Sequence, residues 1–532
     1  MDSWHMSKRP RTDVSNMPTS SVSLSPPRQS PPVHFLADEL LSQIFTLATH
    51  ASCDRYDAIL YPIIISHVTS RWRQIALSTS SLWTSIILTH PSPWSQLWRT
   101  AEYLTRSRKR PLDLFLDFRD PSWNWQEDLH TFRWKHMENV MRLLCPHVSR
   151  WRNLELFTDT WSPIFTFLWY LRKVQSAPML ESLSLSRCNV YFAAQGEVFQ
   201  PTALRQPIPL FGGGDGLKRL RKVVLAGVHV DWSNSGLRDL IELELKYHAK
   251  DVMPSLGQFI TILTGCPHLE RLTILGWGPR FETETSVGNL SGPIRLARLK
   301  HFVLGFLDVE YAIELLSLFS FPDLKTLILE DISATLQPTD RQDANPILEF
   351  LAARHTSMCS SSSHSSSCCT TRCFPLSDIR TLELRAVHAS EPILSHFLHK
   401  FTSLRGLSIT NMDGTIFAVL DRQSEGHNTS GSLCPALTDV ICKKVDFDAL
   451  VDLIGSRKGI HRITSTNNLS LDIRGEDLTA EHRATFVNAG LTLLDEIVRP
   501  RRPSLLLLPQ YQEGGTPGFP NELVPETKAR MP

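Results

Sequence analysis

The strongest candidate for chemistry in this chain is a short segment rich in cysteine and serine, between positions 359 and 373. Its thiols and single imidazole are Cys359, His364, Cys368, Cys369 and Cys373. Four ligands of these two types are what a structural Zn²⁺ ion requires. The spacing matches no standard zinc knuckle, and serine dominates the segment. We therefore interpret it as a low-complexity insertion and predict no metal site and no cofactor.

Motifs that build enzyme active sites are scarce along the chain. It contains no Gly-x-Gly-x-x-Gly, phosphate-loop, Gly-x-Ser-x-Gly or His-Glu-x-x-His pattern. The glycine-rich run at 212–216 lacks the Lys-Ser/Thr pair of a phosphate loop, so we interpret it as a connecting loop. We expect a protein that is not an enzyme and has no catalytic residue. The competing class is an enzyme whose site lies in an inserted segment at 186–216 or 331–376.

The composition excludes some partners. The 532 residues include 55 Lys and Arg against 54 Asp and Glu, for a formal net charge of +1. No global field therefore favours nucleic acid or an acidic membrane. No apolar run reaches the roughly 18 residues of a membrane span, and the N-terminus lacks an apolar signal core. We expect a cytoplasmic or nuclear protein with reduced cysteines.

The elements that would position functional residues are set by a recurring phrase. An apolar residue is followed by two variable residues, a second apolar residue, one variable residue and a third apolar residue, as in Leu180-x-x-Leu183-x-Leu185. The ten phrases begin at Trp151, Leu180, Leu220, Leu240, Leu269, Leu299, Leu324, Ile379, Leu404 and Leu437. Most of them follow one another at roughly the 20–29 residues of a leucine-rich repeat.

The repeats predict an α/β solenoid. A proline precedes several phrases by two residues, as at Pro178 and Pro322, and separates a preceding helix from the strand of the phrase. Stacking such units would place parallel strands on a concave face and helices outside. We assign the leucine-rich-repeat domain to 148–495, with insertions at 186–216 and 331–376.

The remaining parts of the chain differ in pattern. We predict disordered tails at 1–32 and 496–532 from their low apolar content and their prolines. Residues 33–90 form a helical module, in which Leu40, Leu41, Ile44, Phe45 and Ala48 follow helical spacing. Residues 91–147 link this module to the repeats and contain the alternating strand 111–117, which we expect to begin the solenoid.

The helical module resembles an F-box. The resemblance lies in Phe35–Phe45, in Ile65–Ala76 around Trp72, and in the Ser-Leu-Trp run at 81–83. The module is similar in particular to the F-box-like modules of fungal proteins. The Arg-Pro-Leu-Asp run at 110–113 extends the resemblance just beyond it.

The resemblance implies an adaptor role. In this family the F-box helices dock on the Skp subunit of a cullin-based ubiquitin ligase, and the repeats bind a protein substrate. Docking would also bury apolar residues that two short helices cannot cover alone. The residues assigned to Skp binding by resemblance are Leu36, Leu40, Leu41, Ile44, Val68, Trp72 and Ile75. Some of them must face the module's own core, and the sequence does not separate the two groups.

The candidate substrate-binding surface consists of variable positions of the repeat strands. These positions are Glu181, Ser184, Glu242, Glu244, Arg271, Thr273, Lys325, Thr326, Arg380 and Glu383. Their mixed charges favour a protein partner over nucleic acid. We therefore predict a substrate-recognition adaptor whose partners are a Skp subunit, a cullin scaffold and an unidentified protein. The alternative is a leucine-rich-repeat interaction scaffold with a degenerate F-box and no ligase role.

Overall fold

The computed structural model divides the chain into two compact units, residues 1–79 and 80–532, which we call the N-terminal unit and the sheet unit. The residues that it describes are 32–51, 54–91, 94–124, 129–188, 198–213, 216–281, 293–336, 341–354, 374–422, 433–455, 468–472, 479–488 and 492–494. The two tails predicted to be disordered and the segment at 359–373 lie outside the described residues. The one exception is residue 32, the last residue of the N-terminal tail.

The N-terminal unit is helical. A short 3-10 helix, Pro32–Phe35, precedes four helices, which are α1 (Asp38–His50), α2 (Arg55–Ala58), α3 (Tyr61–Ser66) and α4 (Ser70–Ser78). Helix α4 begins where Thr69 takes an extended conformation and its hydroxyl accepts a hydrogen bond from the Trp72 backbone N–H at 3.1 Å. This N-cap supplies a partner to an N–H that the helix itself leaves unpaired.

The sheet unit contains a 14-stranded parallel sheet whose strands follow one another in chain order. Two further strands, β8 (Ile294–Arg295) and β10 (Phe319–Ser320), pair only with each other. The strands of the large sheet are β1 (Ser85–Thr89), β2 (Leu112–Asp117), β3 (Trp151–Thr158), β4 (Ser182–Arg187), β5 (Lys222–Ala226), β6 (Glu242–Lys246), β7 (Arg271–Leu275), β9 (His301–Phe306), β11 (Thr326–Asp331), β12 (Thr381–Arg385), β13 (Gly406–Thr410), β14 (Asp439–Lys443), β15 (Asn468–Asp472) and β16 (Thr492–Leu494).

Helices connect many of these strands. They are α5 (Trp94–Arg106), α6 (Trp134–Leu144), α7 (Trp161–Leu171), α8 (Leu256–Thr264), α9 (Val309–Ser317), α10 (Ile332–Leu336), α11 (Asn345–Ala353), α12 (Glu391–Leu398), α13 (Thr415–Arg422), α14 (Phe447–Gly455) and α15 (Ala480–Asn488). Short 3-10 helices replace them elsewhere, for example at Trp232–Asn234 between β5 and β6. Within the described ranges, no helix is both long and apolar enough to cross a membrane.

The register of the sheet separates apolar from polar side chains. Strand β6 shows the pattern, because Leu243 and Leu245 are buried while Glu242, Glu244 and Lys246 are half-buried. In-register pairing carries this alternation from strand to strand, so that leucines of neighbouring strands stack in rows. We call the face that carries Glu242, Glu244, Lys246 and their register partners the polar face.

A tight turn leads into most repeat strands. The backbone N–H of the first leucine in the phrase donates to the carbonyl three residues earlier, as from Leu180 to Ala177 at 3.1 Å and from Leu269 to Cys266 at 3.1 Å. The apolar residues at both ends of these turns are buried. The first leucine of the phrase therefore anchors the turn, and the next two fill the rows beneath the sheet.

The α/β class and the parallel sheet predicted from the phrases are confirmed, with a strand at every one of the ten phrases. The sheet begins one strand earlier than expected, because β1 pairs residue for residue with β2. At the other end of the sheet, helix α15 stops at Asn488, and Thr492–Leu494 is a strand that pairs with β15.

Helix α5 covers the free edge of β1. The Gln96 side chain accepts from the Thr89 backbone N–H at 2.9 Å and donates to the Thr89 carbonyl at 3.3 Å. Arg99 donates to the Ile87 carbonyl at 3.1 Å. These side chains satisfy backbone groups that an exposed edge strand would offer to another chain.

The segment after β11 folds onto the polar face. Helix α10 follows the strand directly, and its Ile332 packs with Tyr247 of the loop after β6 and with Leu275 of β7. Gly305 of β9 lies beneath this cluster. A Cβ atom at Gly305 would come within 2.5 Å of Ile332 Cδ1 and 2.7 Å of Leu275 Cδ2.

We expect Gly305→Ala to lower the free energy of unfolding by about 1–3 kcal/mol, because the added methyl overpacks the cluster around Ile332. Gly406→Ala is the matched control on β13, since its Cβ would meet only Thr381, at 3.8 Å. The control should be neutral or stabilising by up to about 1 kcal/mol. Urea unfolding of the full chain measures both. Equal midpoints for the two variants would contradict the packing described here.

Candidate functional site

Helix α1 carries two apolar stripes rather than one face. Leu41 and Phe45 are 1% and 3% exposed and belong to the core of the N-terminal unit. Leu40, Ile44 and Leu47 are 48%, 47% and 69% exposed. Both sets follow helical spacing, so the single broad face seen in the sequence divides into a buried stripe and an exposed one.

Contacts within the N-terminal unit fix the orientation of α1. The Phe45 ring packs against Trp72 of α4, with ring centroids 4.8 Å apart. Arg71 donates two hydrogen bonds to one carboxylate oxygen of Asp38, at 2.9 and 2.6 Å, at the start of α1. The Thr79 hydroxyl donates to the Ser42 hydroxyl at 3.2 Å. Since these contacts use one side of α1, the stripe of Leu40, Ile44 and Leu47 remains exposed.

The seven residues assigned to Skp binding fall into three groups. Leu40, Ile44 and Val68 are exposed, Leu36 and Trp72 are half-buried, and Leu41 and Ile75 are buried in the core. The last two can support a surface but cannot form it.

The exposed apolar residues of the N-terminal unit form a larger set than the sequence assignment contained. This exposed apolar set is Phe35, Leu40, Ile44, Leu47, Leu60, Ile64, Val68 and Leu77. It makes up eight of the sixteen large apolar side chains that are exposed among the described residues, although the N-terminal unit is much the smaller one. Sequence spacing could have found Leu47, which follows Ile44 by three residues. Helical spacing alone does not distinguish exposed from buried stripes.

Seven of the ten candidate substrate contacts lie on the polar face. Glu242, Arg271 and Thr326 share its first row, and Ser184, Glu244, Thr273 and Glu383 share its middle row. Ser184 and Thr273 are only 7% and 9% exposed. These two residues are therefore poor candidates for contacts with a partner.

The charges at the centre of the polar face pair with one another. Lys222 Nζ lies 2.7 Å from a carboxylate oxygen of Glu242, and Arg271 lies 3.7 Å from the other oxygen. Glu244 makes a close ion pair with Lys246. Opposite charges on adjacent strands stabilise the sheet. A partner binding here would have to replace pairs that already exist.

The other three candidates, Glu181, Lys325 and Arg380, lie just before their strands. They belong to an edge row, in which the backbone N–H of every member after the first donates to the carbonyl of the preceding member. In chain order the edge row is Arg152, Glu181, Arg221, Ile241, Glu270, Lys300, Lys325, Arg380, Arg405 and Thr438. Lys300 and Arg405 were missed by the sequence reasoning, although both directly follow the first leucine of a phrase.

A cluster of charged groups lies where β2 and β3 end, which is a common place for ligand sites in parallel sheets. Arg119 donates to both carboxylate oxygens of Asp117, at 2.8 and 2.9 Å. The Phe132 N–H donates to His130 Nδ1 at 3.0 Å, which leaves the proton on Nε2 to donate to Asp159 at 2.9 Å. These four side chains already make hydrogen bonds that stabilise the loops after β2 and β3. In the described part of the chain, no three His, Cys, Asp or Glu residues are grouped as metal ligands.

The described residues 198–213 of the first predicted insertion pack against the rest of the sheet unit, and residues 186–187 belong to strand β4. Phe199 is buried against Trp161 and His229, with ring centroids 5.0 and 4.3 Å apart. His229 Nε2 lies 2.8 Å from the Arg205 carbonyl, so this nitrogen carries the proton. The insertion therefore contributes to the core beyond the strand ends.

Two buried histidines are held in the neutral form. His248 Nε2 donates to the Val228 carbonyl at 2.8 Å, while Nδ1 of both His229 and His248 is buried and has no hydrogen-bond partner among the described residues. Burial lowers the pKa of each histidine to about 4. Among the described histidines, these two have pKa values furthest from the ordinary value, yet both are core residues.

Sequence comparison identifies no related protein. The chain matches no protein-family model, and no curated protein is significantly similar to it.

We expect the sheet unit to lose stability as the pH falls from about 6.5 towards 4. In this window the unfolded chain binds protons that His229 and His248 in the folded chain do not. At pH 5 the loss should be on the order of 2 kcal/mol for each histidine. His248→Gln keeps a donor for the Val228 carbonyl but does not titrate, so it should reduce the difference between urea midpoints at pH 7 and pH 5. His268→Gln, on an exposed turn, is the control. An unchanged difference in His248→Gln would contradict this assignment.

Proposed function

We propose that this protein is a substrate-recognition adaptor of an SCF-type cullin ubiquitin ligase. The N-terminal unit would act as the F-box that docks on the Skp subunit. The sheet unit would act as a leucine-rich-repeat domain that binds a protein substrate. The observation that carries the proposal is the exposed apolar set of the N-terminal unit, next in the chain to a long repeat sheet.

The exposed apolar set supports docking on partner helices. Leu40, Ile44 and Leu47 present one stripe along α1, while Leu41 and Phe45 hold the other side of the same helix in the core. Large exposed apolar patches commonly mark surfaces where another protein binds. A helical partner would gain hydrophobic contact without any rearrangement of the core.

The sheet unit supports recognition of a macromolecule. Its strands are added one repeat at a time in chain order, which is the arrangement of solenoids. The polar face is long, and its charges are of both signs. Such surfaces suit extended contact with another protein better than the enclosure of a small substrate.

The chemical contribution of such an adaptor is positional. It would hold a substrate lysine near the ubiquitin thioester of the conjugating enzyme, and thereby raise the effective concentration of the two reactants. No residue of this chain would act as a nucleophile. The adaptor would work in the cytoplasm, the nucleus or both.

Co-expression of the full chain with a fungal Skp subunit tests the proposal. The unmutated chain should co-purify with the subunit. Leu40→Ala combined with Ile44→Ala should lower the recovered Skp subunit at least tenfold, because buried apolar anchors dominate interfaces. Since both side chains are half exposed, the variant should fold normally.

Val487→Ala is the matched control, since Val487 is an exposed apolar residue of the sheet unit. It should leave recovery unchanged. Absence of a complex with the unmutated chain would contradict the adaptor and favour the scaffold with a degenerate F-box.

A further inference from the structure

Four consecutive positions of the edge row are basic. Lys300, Lys325, Arg380 and Arg405, which we call the basic rim, precede the adjacent strands β9, β11, β12 and β13. The backbone N–H groups of Lys325, Arg380 and Arg405 donate to the preceding member's carbonyl at 2.9, 2.8 and 2.8 Å. With a strand spacing of about 4.8 Å, the basic rim spans about 14 Å.

The basic rim differs from the rest of the edge row. From Arg152 to Glu270 the row alternates between basic, acidic and apolar residues, and beyond Arg405 it continues with the uncharged Thr438. Elsewhere in the described row, no two neighbouring members carry charges of the same sign. The basic rim is therefore a local concentration of positive charge on a chain with a net charge of only +1.

Neutralisation of the basic rim is uneven. Lys300 Nζ lies 3.1 Å from a carboxylate oxygen of Glu270, and Lys325 Nζ lies 3.2 Å from a carboxylate oxygen of Asp323. Arg380 and Arg405 are exposed, and their guanidinium groups make no hydrogen bond or ion pair with any described residue. Two neighbouring guanidinium groups without partners repel each other and remain available to an anionic ligand.

Two acidic residues lie near these arginines: Asp378 is two residues before Arg380 in the chain, and the Asp439 backbone N–H donates to the Arg405 carbonyl at 2.9 Å. Asp378 accepts a hydrogen bond from the Ser377 hydroxyl at 3.2 Å, and Asp439 accepts one from the Thr438 hydroxyl at 2.7 Å. Neither carboxylate forms an ion pair with Arg380 or Arg405. The negative charges of Asp378 and Asp439 near the basic rim favour a narrow ligand over a broad one.

We propose that the basic rim binds an acidic segment of a protein partner, four or five residues long, whose charges are carboxylates or phosphates. An extended chain advances about 3.3 Å per residue, so four or five residues match the length of the rim. Guanidinium groups donate two parallel hydrogen bonds to either anion. A nucleic acid would extend past both ends of the rim, where Glu270 and Asp439 oppose its phosphates.

This inference rests on the proposed function in one respect, that the sheet unit recruits a protein. It does not require the N-terminal unit to bind a Skp subunit. A peptide-binding assay and the co-purification experiment can therefore fail separately.

Fluorescence anisotropy of the full-length protein tests the proposal. The probes are a labelled peptide with five consecutive glutamates, a version with phosphoserines at those positions, a glutamine version and a ten-residue single-stranded DNA. The glutamate or phosphoserine probe should bind, the glutamine probe should not, and affinity should fall with added salt. The ratio of the two anionic peptides identifies whether carboxylate or phosphate is preferred.

Arg380→Glu combined with Arg405→Glu should weaken binding of the anionic peptides at least tenfold. Arg380→Gln combined with Arg405→Gln is a milder variant for use if charge reversal impairs folding. It should weaken binding of the anionic peptides several-fold. Lys218→Glu with Arg219→Glu makes the same charge change on the exposed turn before β5, five strands from β12, and should change affinity less than twofold. The proposal is wrong if neither anionic peptide binds, if the control weakens binding equally, or if the DNA binds more tightly than both peptides.

Discussion

In-register parallel pairing of consecutive strands is the constraint on which the sheet unit depends. From β3 to β14, each strand of the large sheet joins the preceding strand of that sheet with the same offset, so a residue's place in the repeated phrase decides its place in the sheet. The first leucine closes a turn, and the next two enter rows beneath the sheet. The residue after the first leucine enters the edge row, and the alternate residues form the polar face. A shift of one residue would exchange leucines for charges across the whole face.

This constraint explains how far the sequence predicted the fold. The leucine phrase contains the strand, its buried positions and its break from the preceding helix, so all ten repeat strands could be located. Strand β1 lacks the phrase, and its role became visible only through pairing with β2. The last strand, Thr492–Leu494, is too short to distinguish helical spacing from alternation, and pairing with β15 decides its structure.

The candidate surfaces were less predictable for a different reason. Leu40 and Leu41 are adjacent and chemically identical, yet one is exposed and the other is core, because the position of Trp72 and Arg71 sets the rotation of α1. Glu242 and Arg271 are candidate substrate contacts in the sequence, but in the structure both are engaged in ion pairs. Exposure and ion pairing depend on the tertiary structure. Periodicity could therefore identify these residues as candidate contacts, but it could not show which of them are accessible to a partner.

We propose different tasks for the two units: apolar docking for the N-terminal unit and polar recognition for the sheet unit. Hydrogen–deuterium exchange of the full chain, with and without a Skp subunit, tests this division most directly. Binding should slow exchange in α1 and α4 and leave exchange in the strands from β4 to β14 unchanged. Unchanged exchange in α1 and α4, or protection confined to the strands, would contradict it.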